Sequence, residues 1–182
     1  MKPHESAPQG CIYSTTLFVG GRKHLLTNES CIQIILDSLA WLCATGQLAL
    51  FGFVLLPSHI HFLGRPLRRE MRPLAESFAE FTAARMTAAL RRRGRGPLLH
   101  YLHAQTPAPA PGAPIWGSVL VQPVADRDDA LNLLARMHAK PASREWGLAA
   151  EPVAYLYSSA CFYETGRPPI LPVEDVRLAF GD

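Results

Sequence analysis

The chain predicts an α+β domain, a ferredoxin-like antiparallel sheet with helices packed on one face. Three observations lead there. Apolar patterns run strand, helix, paired strands, helix, strand and helix along 182 residues. The paired strands, Leu48 to Leu56 and His59 to Leu63, are separated only by the break Pro57-Ser58. A hydrophobic fraction of 48% in a chain of this length supports one sizeable core, so a single domain.

Each element follows from local chemistry. Residues 1–10 are polar and read as a flexible N-terminal tail, while Cys11 to Phe18 has the β-branched and aromatic content of a strand, turned by Gly20-Gly21. Thr27 and Asn28 are N-cap residues for a helix in which Ile32, Ile35, Leu36, Leu39 and Leu42 recur at helical spacing up to Gly46. The next two strands end at Arg65-Pro66, because the residue before a proline stays extended. A second helix fits Pro73 to Arg93, with proline in its first turn, Leu74, Phe78 and Phe81 on one side, and Gly94 after its end. Residues 105–114, rich in Pro and Ala, read as an extended loop within the domain. Ile115 to Val124 holds another strand, and Asp126 with Asp129 opens a third helix, carrying Leu131, Leu134 and Met137, that Pro141 ends. The domain then spans 11–163, with 164–182 as a C-terminal tail.

Charge and cysteine usage narrow the setting. Eighteen Lys and Arg against fifteen Asp and Glu give +3, which permits a polyanionic partner without demanding one. The four cysteines are scattered and form no CxxC pair, as expected of free thiols in the cytoplasm. The start of the chain lacks the apolar stretch of a secretion signal, and the run from Leu48 to Leu56 is too short to span a bilayer, so no membrane partner is expected. Arg91-Arg92-Arg93-Gly94-Arg95, at the end of the second helix, suits phosphate contact and equally suits the negative end of the helix dipole.

The most specific local feature is His59-Ile60-His61. Side chains alternate across a strand, so both imidazoles project from one face and are placed to grip one divalent ion. The same spacing also suits two structural histidines beside a turn.

Their company narrows the reading. The segment Leu56-Pro57-Ser58-His59-Ile60-His61 resembles the Met-Pro-Asn-His-Val-His motif of single-tyrosine HUH transposases, in particular the REP-associated tyrosine transposase branch. Met137-His138-Ala139-Lys140-Pro141 resembles that branch's Tyr-Ile-His-x-Asn-Pro block, and Trp146-Gly147-Leu148 with Ser158-Ser159-Ala160 through Tyr163 resembles its trailer. The likeness covers about Cys11 to Tyr163 in motif order. It implies a ferredoxin-like fold, commonly a homodimer, that binds single-stranded or hairpin DNA and cuts beside the hairpin. A helix-borne tyrosine attacks the phosphodiester there, while Mg²⁺ or Mn²⁺ on the histidine pair polarises the phosphate.

Carried over residue by residue, the resemblance puts Arg136 at the nucleophile position and Lys140 at the third-ligand position beside His59 and His61. Guanidinium cannot attack phosphorus, and an ammonium has no lone pair for a metal. At i and i+4 the two share one helix face, converted from reactive to cationic. The other tyrosines, Tyr101, Tyr155, Tyr157 and Tyr163, lie off that helix and are expected to be core or surface aromatics, Tyr157 being the nearest to a substitute nucleophile. His138 is expected to be structural. The sequence therefore favours DNA binding through Arg91, Arg92, Arg93, Arg95, Arg136 and Lys140, with tyrosine-dependent cleavage lost. Two alternatives stand beside it: a metal-dependent nickase using a displaced tyrosine or water, and a remnant without activity.

Overall fold

The computed structural model describes residues 10–105 and 115–180; almost all of the N-terminal tail, the Pro-rich loop from residue 106 and the last two residues lie outside them. Four strands, β1 (Tyr13–Val19), β2 (Leu48–Leu56), β3 (His59–Pro66) and β4 (Trp116–Pro123), form one sheet in the order β2-β3-β1-β4. Every pairing is antiparallel. The sheet and its helices give the α+β, ferredoxin-like arrangement that the patterns predict, but the helices cover both faces rather than one, because α4 (Arg127–Ala139) packs opposite α1 (Glu29–Ala44) and α2 (Met71–Arg92).

Helices α1 and α2 join the sheet in the larger core, and α4 joins it in a second. Asn28 caps α1 by accepting a bond from Ser30 N, and Asp126 caps α4 by accepting one from Asp129 N. The α1 stripe is buried as its spacing requires, at Ile32, Ile35, Leu36, Leu39 and Leu42. On α2 the buried stripe runs through Leu74, Phe78, Thr82, Met86 and Leu90, so Phe81, expected beside Phe78, is turned outward and is 53% exposed. Thr82 anchors the fully buried Trp116 by accepting its Nε1–H at 3.0 Å. One helix, α3 (Gly96–Gln105), stands where the sequence shows only Gly94 and a basic run.

All nine residues of β2 are buried because both of its faces are covered. Leu48, Leu50, Phe53 and Leu55 enter the larger core, and Ala49, Phe51, Val54 and Leu56 enter the second. A register shift between Leu50 and Gly52 makes this assignment work, since the extra residue switches the alternation.

The C-terminal block covers the free edge of β2. Leu55 N donates to Tyr157 O, Ser159 N to Phe53 O and Glu174 N to Leu50 O, at 2.8–3.0 Å. Tyr155 and Tyr163 donate their hydroxyls to the carbonyls of Leu55 and Phe51. An otherwise open row of strand groups is thereby satisfied. The Ser158-Ser159-Ala160 sequence precedes the short helix α5 (Ala160–Thr165), and within 164–180 Leu171 joins the larger core and Val176 the second.

Gly52 sets how closely α4 approaches. A Cβ there would collide with the Leu134 side chain and press on Met137 and Ser159. Gly52→Ala is expected to destabilise the protein by about 1–3 kcal/mol through overpacking, read as a lower midpoint in urea unfolding.

Candidate functional site

Alternation along β3 sends Ile60 and Phe62 into the larger core and leaves His59, His61 and Leu63 on the α4 face. Across β1 their register partners are Phe18, Thr16 and Ser14. The His61 Nε2 bonds Ser14 Oγ at 2.8 Å. His59 is 5% exposed and packs against the rings of Phe18 and Trp146, with centroids at 5.2 and 5.8 Å. Its Nδ1 lies 3.2 Å from Ser58 Oγ, whereas its Nε2 is buried with no hydrogen-bond partner among the described residues.

The pair is held neutral. Burial first, then the Lys140 ammonium, pushes both imidazoles down to about 4; His61 and Arg22 add to the effect at His59, and Arg136 adds at His61. Of the two cationic positions expected on this helix face, Lys140 acts electrostatically on both imidazoles and Arg136 on that of His61. Arg136 is exposed on the last turn of α4, and Lys140 is half-buried just beyond it.

Arg22, Phe18, Ser14 and Trp146 complete this face. Arg22 is the one non-glycine with positive φ among the described residues (φ 54), and its guanidinium lies 3.7 Å from the Phe18 ring centroid. Gly20-Gly21 signals a turn in the sequence, but no spacing rule shows that the following arginine folds back over the preceding strand.

The other sequence candidates separate from the pair. His138 is buried, bonds Ser159 Oγ at 2.8 Å and packs on Tyr163, so it ties α4 to the covered edge of β2. Burial holds its imidazole down at about 4. The Tyr155 and Tyr163 hydroxyls are occupied by the β2 carbonyls, and burial pushes both up to about 12. Tyr157 packs against the larger core, and Tyr101 sits on α3 beneath the Lys23 ammonium. Arg91, Arg92, Arg93 and Arg95 are exposed at the end of α2, in the layer opposite α4; Arg92 and Arg93 line a cleft there with Asp37 of α1.

The residues present do not fit Mg²⁺ or Mn²⁺. Among the described residues no three His, Cys, Asp or Glu side chains gather. The third-ligand position that the resemblance implies holds Lys140, an ammonium with no lone pair; one imidazole is already bonded to Ser14, and three cationic side chains act on the pair.

The sheet order and helix placement give a fold that this chain shares with a REP-associated tyrosine transposase of known structure. A structure of such a transposase bound to a REP hairpin superposes with a TM-score of 0.61 at 15% identity, over 97% of this chain and 93% of that one. A transposase candidate from Deinococcus radiodurans R1 gives a TM-score of 0.46 at 19% identity, over 75% of this chain and 95% of that one. No protein-family model and no curated protein matches the sequence. No described helix is long and apolar enough to cross a membrane.

Proposed function

We propose that this protein binds single-stranded or hairpin DNA on the α4 face of its sheet and does not cut it by tyrosine chemistry. One observation supports the reading: Lys140 acts electrostatically on both His59 and His61 and Arg136 on His61, and these are the positions where the resemblance implies a third metal ligand and a nucleophile. Neither side chain can attack phosphorus or hold a cation, yet both suit a phosphodiester. The related transposase of known structure was solved on a hairpin, which supports the same class of ligand.

The strand would run over β3 and β1, its phosphates met by Arg136, Lys140 and Arg22. Arg93 acts on Cys31 near the start of α1, and α3 packs beside Gly20–Arg22, so the basic run at the end of α2 lies toward the His59 end of the sheet but in the other layer. A hairpin stem leaving that end would meet Arg91, Arg92, Arg93 and Arg95, which a short strand would not reach. The setting is the cytoplasm, and the working form is a homodimer, as the resemblance implies.

The test is hairpin DNA affinity as a function of salt, in chelator and in manganese, with the DNA recovered and checked for breaks. Three phosphate contacts on a single strand predict a log–log salt slope of about −2, unchanged by chelator.

A further inference from the structure

The buried Nε2 of His59 has no hydrogen-bond partner among the described residues. A buried nitrogen in this state costs free energy unless a ligand satisfies it. Three cationic side chains act on the pair. Lys140 acts on both imidazoles, Arg136 on His61, and Arg22 on His59 from its perch over Phe18. No carboxylate acts on either imidazole. Such a pocket repels cations and lacks one thing, an anion that accepts hydrogen bonds.

We propose that His59, His61, Lys140, Arg136 and Arg22 form a metal-free cradle for a phosphate oxyanion, with His59 Nε2–H as its buried donor. In the proposed cradle the Ser58 hydroxyl, 3.2 Å from His59 Nδ1, is assigned as the donor of their bond, so that the single ring proton of the neutral imidazole sits on Nε2. Ser14 Oγ holds His61 from β1 through its Nε2 instead. The ammonium and two guanidinium groups supply the charge, and charge-assisted bonds to phosphate are the strong ones. Only the identity of the natural ligand rests on the DNA reading, since a backbone phosphodiester and a free phosphate share this chemistry.

The experiment follows the imidazole ¹⁵N–¹H correlations of the full chain at pH 7.5 while inorganic phosphate is added in chelator at constant ionic strength, with chloride as the balancing anion. The His59 resonance is expected to move saturably. Lys140→Gln is expected to weaken the half-saturation about tenfold, and Arg22→Gln, at an exposed position that leaves α4 intact, by a smaller factor. No saturable movement, or an equal movement in chloride alone, overturns the cradle. Selective broadening of the two histidines by Mn²⁺ without phosphate also overturns it, because the pair would then be a metal site. Hairpin DNA provides the second arm. If phosphate binds and the hairpin does not compete, the cradle stands and the DNA reading falls; if the hairpin binds and phosphate leaves His59 unmoved, the cradle falls and the DNA reading stands.

Discussion

Arg136→Glu combined with Lys140→Glu is expected to weaken hairpin DNA binding by about 100-fold or more. The double change removes two proposed phosphate partners and installs two like charges where the strand is proposed to lie. Each lost contact releases fewer counterions, so the salt slope should also fall by about 0.7 per phosphate on a single strand. Arg136 is exposed and Lys140 half-buried, with no ion pair to either in the described structure, so the reversal should leave the fold intact. A thermal melt on the same preparation establishes that. Reversing Arg92 and Arg93 instead should spare a short unpaired strand and weaken only hairpins with a stem, because those side chains lie in the opposite layer. Fluorescence anisotropy with the two DNA types separates these outcomes. Unchanged hairpin affinity in the Arg136 and Lys140 variant would place the DNA on another surface.

Acid is expected to unfold this protein steeply between about pH 6.5 and pH 4. His59, His61 and His138 are all held neutral, with values near 4 in the folded state against 6.5 for the free side chain. The sign follows from proton binding. Below pH 6.5 the unfolded chain takes up protons that the folded chain refuses, so the stabilisation present above 6.5 is lost as pH falls toward 4. One proton per histidine gives a slope of about 1.4 kcal/mol per pH unit, and three give about 4 at most. Around His59 and His61 the neighbouring charges are Lys140, Arg136 and Arg22, which resist protonation further, whereas His138 is depressed by burial alone. Urea midpoints at pH 7 and pH 4.5 measure the loss. His138→Gln, which keeps a polar group for Ser159, should flatten the profile by about one proton. A midpoint constant across this window would contradict the buried, neutral histidines.

The parts of this fold that were legible in the sequence are those decided by neighbours in the chain. The Asn28 and Asp126 caps, the α1 stripe and the turn at Pro57-Ser58 depend on residues within one or two helical turns. The relation of Arg136 and Lys140 to the histidines was legible for a related reason. Alternation fixes which strand residues share a face, and i,i+4 spacing fixes which helix residues do, so only the docking of α4 had to be supplied by resemblance. What the sequence hid depends on distant contacts. The cover on the β2 edge joins residues 100 or more positions apart, as does the tie from Ser159 to Phe53. Phe81 turned outward because α2 is buried along a stripe set by its partners, and the register shift at Gly52 is invisible in a run that is apolar throughout. Arg22 joined the site through a positive φ and a cation–π contact, neither of which has a pattern at the level of spacing.

Hairpin DNA bound by the wild-type protein, then recovered and resolved under denaturing conditions, tests the central claim most directly. The account predicts a retained complex in chelator and in manganese alike, weakened by salt, from which the DNA returns full length and free of protein. A nicked strand or a covalent protein–DNA adduct would contradict the loss of cleavage, and hairpin affinity no better than that for an unstructured strand would contradict specific binding.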